Sequence, residues 1–285
     1  MSLNGVISNG AHSRVATDGE GNKWEAGDAI GVSTMGNGTD YTNHKYATLS
    51  GNGNFTTEAG DIYLLSKNEI SLTAYYPYKE ADELNSGLYE FSIRNQESTY
   101  VPHDFMFAQA KVTREKDAEF QNVNLAFDHK MNRLRLTLID HEAEEVEYTL
   151  QDVITDGTFN TATGEIVNAA TASNVKIAGV GAATYLIYPP QGTKDVALNI
   201  KLGEDYYAGI LPTLASSTAT TGVTLNYNIT LKEKQVLITL NGITVNGWGN
   251  EEGGDIEAGE KENTTQGSAN GGTWGGGSHI DMYEN

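Results

Sequence analysis

The stretch "NRLRLTLID", residues 132–140, carries the clearest structural signal in the chain. Apolar and polar residues alternate with a period of two. Leu134, Leu136 and Leu138 are therefore expected on one face of a β-strand, against a core, and Arg133, Arg135 and Thr137 on the opposite, solvated face. The same alternation recurs on both sides: "KYATLS" (45–50), "DIYLLS" (61–66), "EISLTAYYPY" (69–78), "LYEFSI" (88–93) and "NVNLAF" (122–127) before it, then "EVEYTLQDV" (145–153), "DVALNIKL" (195–202), "TLNYNITL" (224–231) and "QVLITLNGITV" (235–245) after it. No helical period extends over eleven residues. Turn signals such as Asp156-Gly157 and Asn241-Gly242 separate the runs at the spacing of antiparallel sheets. The expected class is all-β.

Length and composition bound the rest. A chain of 285 residues exceeds the usual single domain, so two β domains are expected. The polar stretch 113–122 is the candidate boundary, giving domains 1–120 and 121–250 and an acidic, glycine-rich tail over 251–285. That tail reads as too polar to form a core. Eighteen Lys plus Arg stand against 38 Asp plus Glu, a formal charge of −20, which repels phosphate backbones and argues against nucleic acid as a partner. The absence of cysteine excludes disulfides, thiolate zinc sites and cysteine nucleophiles. No apolar run is long enough for a transmembrane helix, and the amino terminus has no basic start followed by an apolar core.

A search for catalytic chemistry finds little. There is no nucleophile elbow and no phosphate-cradling glycine loop. "HEAEE" (141–145) begins like a zinc-protease helix but carries Glu145 where the second histidine must be. His129 sits between core-like residues and reads as a hydrogen-bonded structural histidine. The acidic run "EEGGDIEAGE" matches no calcium-loop order. Tyr75, Tyr76 and Tyr78 in "AYYPY" could line a sugar platform, and the many acids leave glycoside chemistry open. In "KWEAGDAIGV" (23–32), Gly27 permits a positive φ and Asp28 can bond its own turn, so Trp24, Gly27 and Asp28 read as the corner of a sheet.

The order of several motifs is informative. "WEAGDAIGV" (24–32), "LTAYYPY" (72–78), "DFMFA" (104–108), "LAFDHKMNRLRLTL" (125–138), "LIYPPQ" (186–191) and the closing "YNITL…ITVNGW" (227–248) resemble the fimbrillin family, and within it the Mfa-like branch of type V pilin subunits. The resemblance covers roughly residues 13–248.

It implies two tandem β-sandwich domains of transthyretin-like Greek-key topology, no enzymatic activity, no cofactor and no metal. It further implies export as a lipoprotein to the outer-membrane surface, followed by trimming after an arginine, although the family's lipidated cysteine does not occur in this sequence. Trimming would remove a first strand, and a neighbouring subunit's strand would fill the groove left behind. Arg14 in "AHSRVATD" stands where the trimming arginine is expected, so residues 1–14 are the removable segment. Their main apolar residues, Val6 and Ile7, make a weak strand. At the other end, Ile280, Met282 and Tyr283 in 279–285 are candidates for a donor strand. The implied partners are other fimbrial subunits and, for a tip adhesin, host glycans or proteins, with Trp274 in "GGTWGGG" as a possible contact. A secreted carbohydrate-binding or carbohydrate-active β protein is the alternative.

Overall fold

The computed structural model describes residues 1–7, 24–94, 104–114, 121–169, 172–182, 184–189, 195–211, 221–232, 235–244 and 255–259. Among them the regular elements are strands, with one short 3₁₀ turn at Ala81–Glu83. The first half holds β1 (Ser2–Ile7), β2 (Ala29–Met35), β3 (His44–Ala47), β4 (Asn54–Phe55), β5 (Glu69–Tyr76), β6 (Leu88–Ser92), β7 (Met106–Thr113) and β8 (Asn122–His129). Then follow β9 (Asn132–Leu138), β10 (Glu145–Ile154), β11 (Asp156–Asn160), β12 (Ile166–Asn168), β13 (Ala172–Val180), β14 (Thr184–Tyr188), β15 (Val196–Leu202), β16 (Asp205–Leu211), β17 (Thr224–Lys232), β18 (Gln235–Thr244) and β19 (Asp255–Gly259).

Seven strands form the first sheet, in the order β3-β2-β5-β7-β8-β1-β4. Its two ends meet, because Ala47 at the end of β3 and Thr56 just beyond β4 exchange backbone hydrogen bonds of 2.7 and 2.9 Å. The sheet thereby curls around one core, to which Ile30, Val32, Ile70, Leu72, Leu125 and Phe127 contribute alternate, fully buried side chains. A second core lies between the five-stranded sheet β14-β9-β17-β18-β19 and the four-stranded sheet β13-β10-β15-β16. Leu134, Leu136 and Leu138 point into it, as the alternation requires.

A small third sheet, β12-β11-β6, joins the two halves, since β6 comes from the first and β11 from the second. Under it Tyr75, Phe91, Phe105, Phe107, Met131 and Phe159 form a separate apolar cluster, with Phe105 and Phe159 stacked at 4.6 Å. Arg94 binds Asp156 through two nitrogens, at 2.7 and 3.0 Å, and closes the edge of this sheet.

Several expectations change. β8 belongs to the first sheet, so the changeover to the second core falls at Lys130–Met131 and not within 113–122. The polarity of 113–122 marks a connection between two strands of one sheet. Arg133 does not face solvent: it is 5% exposed and its Nε donates to Thr224 Oγ1 at 3.3 Å. At this end β17 pairs alongside β9, with the Arg133 amide bonded to the Val223 carbonyl at 2.8 Å and Thr224 opposite Arg133.

Neither dipeptide turn signal makes a hairpin. Asp156-Gly157 opens β11, and Asn241-Gly242 lies inside β18 where the register with β17 shifts between Asn226 and Tyr227. Glycine in a strand marks such a bulge or a close approach as readily as a turn. "DIYLLS" alternates as expected, with Ile62 and Leu64 buried and Tyr63 and Leu65 exposed, yet it pairs with no strand. Side chains satisfy its backbone instead: the amides of Ile62, Tyr63 and Leu65 donate to Tyr46 Oη (3.1 Å), Tyr41 Oη (3.3 Å) and Asn37 Oδ1 (2.7 Å). In the acidic tail, residues 255–259 form β19 on the edge of β18, with Ile256 opposite Ile238. Backbone pairing alone suffices to place so polar a segment on a sheet edge.

Candidate functional site

The corner predicted at "WEAGD" is built from its backbone. Gly27 adopts φ +93°, and Asp28, only 8% exposed, accepts from the Glu25 amide at 2.8 Å and from Tyr76 Oη at 3.2 Å. The carboxylate thus closes the turn and also holds a core tyrosine on β5. Trp24, at the start of this corner, packs edge-on to Phe55 (5.0 Å), Phe127 (5.2 Å) and Tyr76 (5.4 Å). Offset and edge-on aromatic contacts of this kind add to the burial of the rings.

This aromatic group forms the floor of a slot occupied by β1. The strand runs parallel to β8, from Ser2 opposite Asn122 to Ile7 opposite Phe127, and antiparallel to β4, with Leu3 opposite Phe55. Its inward residues are Met1, Leu3, Gly5 and Ile7, all buried. Val6, named with Ile7 as a main apolar residue of this segment, points outward and is 52% exposed. The strand is therefore better anchored than its sequence suggests, because a period of two beginning at Met1 selects a different set of residues. Outside, Asn4 bonds Asn54 at 3.1 Å and Ser2 bonds Asn122.

Gly5 is the tightest point of the slot. The Trp24 indole nitrogen donates to its carbonyl at 2.8 Å, and its amide donates to the Gly53 carbonyl at 2.8 Å. A Cβ at position 5 would lie 2.7 Å from Phe55 Cε2 and 3.1 Å from Phe127 Cε2. Near Met1 the slot is roomier, opening into a cavity of about 110 Å³ lined by Ile62, Leu64, Arg114 and Gln121 among others. The wall at Ile62 is braced by Tyr46, whose hydroxyl burial pushes up to about 12, so it stays protonated at ordinary pH. Gly5, Phe55 and Phe127 were not singled out from sequence. The available signal was the Met1, Leu3, Gly5, Ile7 spacing.

The three tyrosines of "AYYPY" do not form a platform. Successive residues of β5 face opposite sides, so Tyr76 enters the first core while Tyr75 enters the junction cluster and donates to Asn43 Oδ1 at 2.7 Å. Tyr78 donates to Glu80 at 2.8 Å, with Lys45 4.9 Å above its ring. His129 pairs through Nδ1 with the buried Asp104 at 2.8 Å. Arg14, Trp274 and the proposed donor residues Ile280, Met282 and Tyr283 lie outside the described residues.

β1, from the amino end of the chain, thus sits between β8 and β4, with residues 8–28 between it and the next strand. Residues 13–248 match the fimbrillin-like family model. The chain belongs to the fimbrillin-like family. One relative, assigned as a fimbrium subunit of Bacteroides uniformis, is 28% identical over 238 residues, covering 76% of this chain and 77% of the relative. A crystal structure described as a cell adhesion protein from Bacteroides ovatus covers 88% of this fimbrillin-like chain and 98% of its own, with a TM-score of 0.69 and 24% identity. A second, also described as a cell adhesion protein and from Bacteroides uniformis, covers 87% and 97% with a TM-score of 0.65 and 25% identity. The family match begins after β1 and ends before β19.

Proposed function

We propose that this fimbrillin-like protein is a structural, non-catalytic subunit of a cell-surface fimbrium, assembled by strand exchange at the β1 slot. The observation that carries the reading is β1 itself: one strand, parallel to β8 and separated in sequence from the next strand of its sheet by residues 8–28, which include Arg14. Cleavage after Arg14 would leave β1 held only by its ladder bonds and four inward positions. Its departure would expose the edges of β8 and β4 and the aromatic floor, a ready template for an extended segment of another subunit. In this reading the two large cores are tandem β-sandwich domains of transthyretin-like topology, the first ending near Lys130, and the protein is exported and anchored at the outer membrane. Its partners are other fimbrial subunits, and adhesion follows from the fibre.

Limited digestion with an arginine-specific protease tests this, followed by mass spectrometry and light scattering. A cut after Arg14 with loss of residues 1–14 and growth of oligomers is expected. A clean cut that leaves a stable monomer still retaining its first strand would overturn the proposal.

A further inference from the structure

We infer that the β1 slot selects its incoming strand by a glycine, and that the strand it takes comes from a chain other than a second copy using its 279–285 segment. This inference rests on the strand-exchange reading and names the chemistry of the partner. The slot offers four inward positions in succession, now filled by Met1, Leu3, Gly5 and Ile7. The first opens into free space, and the second and fourth take aliphatic side chains. The third has no room for any side chain. There Phe55 Cε2 stands 2.7 Å from the place of a Cβ, and the ring cannot withdraw without displacing Trp24, which packs on it at 5.0 Å and also bonds the strand carbonyl. Backbone contact is equally close on the other side, where a Cβ on Gly53 would lie 2.5 Å from the Gly5 carbonyl oxygen. Interiors packed this closely transmit a displacement of one atom to its neighbours.

The accepted segment is therefore extended, parallel to β8, and reads large apolar, any, large apolar, any, glycine, any, aliphatic. Residues 279–285 do not fit. With Ile280 and Met282 on the first two inward positions, Glu284 falls on the glycine position; shifted by two, Met282 falls there. A second Leu-Asn-Gly occurs at 240–242, but it is committed to β18, with Gly242 opposite Asn226. Apart from residues 1–7, which the trimming removes, neither of these segments of a second copy fits, so the slot is assigned to a donor strand on a subunit of different sequence.

The full chain, cut after Arg14 and freed of its first strand, is titrated with three peptides: residues 1–14, the same peptide with Gly5→Ala, and residues 277–285. The 1–14 peptide is expected to bind and to protect the amides of 122–127 from hydrogen exchange. The Gly5→Ala peptide should bind at least about tenfold more weakly, and the 277–285 peptide not measurably. Equal binding of the first two overturns the glycine rule, and binding of 277–285 as tight as that of 1–14 overturns the assignment of the donor to another chain. If no peptide binds, the exchange reading fails, and with it the donor assignment. The intact chain carrying Gly5→Ala decides the glycine rule independently. Hydrogen exchange across 2–7 and 122–127 should accelerate at least about tenfold while 134–138 stay protected and a Val6→Ala chain is unchanged; unaltered exchange in the Gly5→Ala chain overturns the rule.

Discussion

β1 and β9 are two solutions to one topological problem. Each runs parallel to a neighbour that lies far along the chain: β1 to β8, and β9 to β17, over six residue pairs in both cases. Each also has an antiparallel neighbour on its other side. For β9 this is β14, over five pairs, whereas for β1 it is β4, over two. β9 inserts three leucines into the second core and adds the buried Arg133, and two residues connect it to β8. β1 inserts two thioether or aliphatic side chains, then a glycine, then Ile7 at its end. Retention of β9 is thus a property of packing and connectivity together. Retention of β1 depends on backbone bonds, a few pockets and the 21 residues, 8–28, that separate it in sequence from β2. Under the proposed strand exchange, a strand of the second kind would be replaced without dissolving the core beside it.

The comparison can be broken by mutation, beginning with the side expected to fail hardest. Leu136→Ala in β9 should lower global stability by about 2–5 kcal/mol, seen as a shift of the whole denaturant transition. Loss confined to local hydrogen exchange would show that β9 is as detachable as β1. Trp24→Ala removes the floor of the β1 slot and should cost about 3–5 kcal/mol at most, with exchange rising first across 2–7 and 122–127. A uniform rise across both halves would assign Trp24 to the general core instead.

Leu3→Ala should cost less than Leu136→Ala despite the same chemistry, about 1–3 kcal/mol, because the loss cannot exceed the free energy that docks β1. Equal costs in the two strands would remove the distinction drawn above. Asp28→Ala deletes the acceptor for both the Glu25 amide and Tyr76 Oη and should cost about 1–3 kcal/mol, measured by urea denaturation, without changing peptide binding at the slot. Abolished binding in a folded variant would move Asp28 from the corner into the site. The smallest effect belongs to Val6→Ala, within about 0.5 kcal/mol, since this side chain faces water; a large loss would mean that the outer face of β1 is covered.

Much of this was legible in the sequence. The alternation at 132–140 placed Leu134, Leu136 and Leu138 correctly, and the ordered motifs led to the fimbrillin-like family. Local pattern was less informative where local and tertiary demands diverged. Arg133 alternates like a surface residue, yet it is buried, with its Nε bonded to Thr224 of β17. "DIYLLS" has the period of a strand, but its backbone is satisfied by Tyr46, Tyr41 and Asn37, whose proximity no local pattern encodes. Tyr75 and Tyr76 look like one aromatic patch, and the pleat of β5 sends them to different cores.

The sequence by itself determined that the chain is built of strands, that it lacks every cysteine-based chemistry, and that its field is strongly negative. These follow from side-chain period, composition and charge, which are properties of neighbours along the chain. Only the tertiary structure decided which strands lie parallel, where the first core gives way to the second, and why residue 5 is glycine. Each of these depends on groups far apart in sequence, such as Gly5, Phe55 and Phe127, being brought within a few ångströms of one another. In that setting the absence of a side chain becomes as specific as the presence of one.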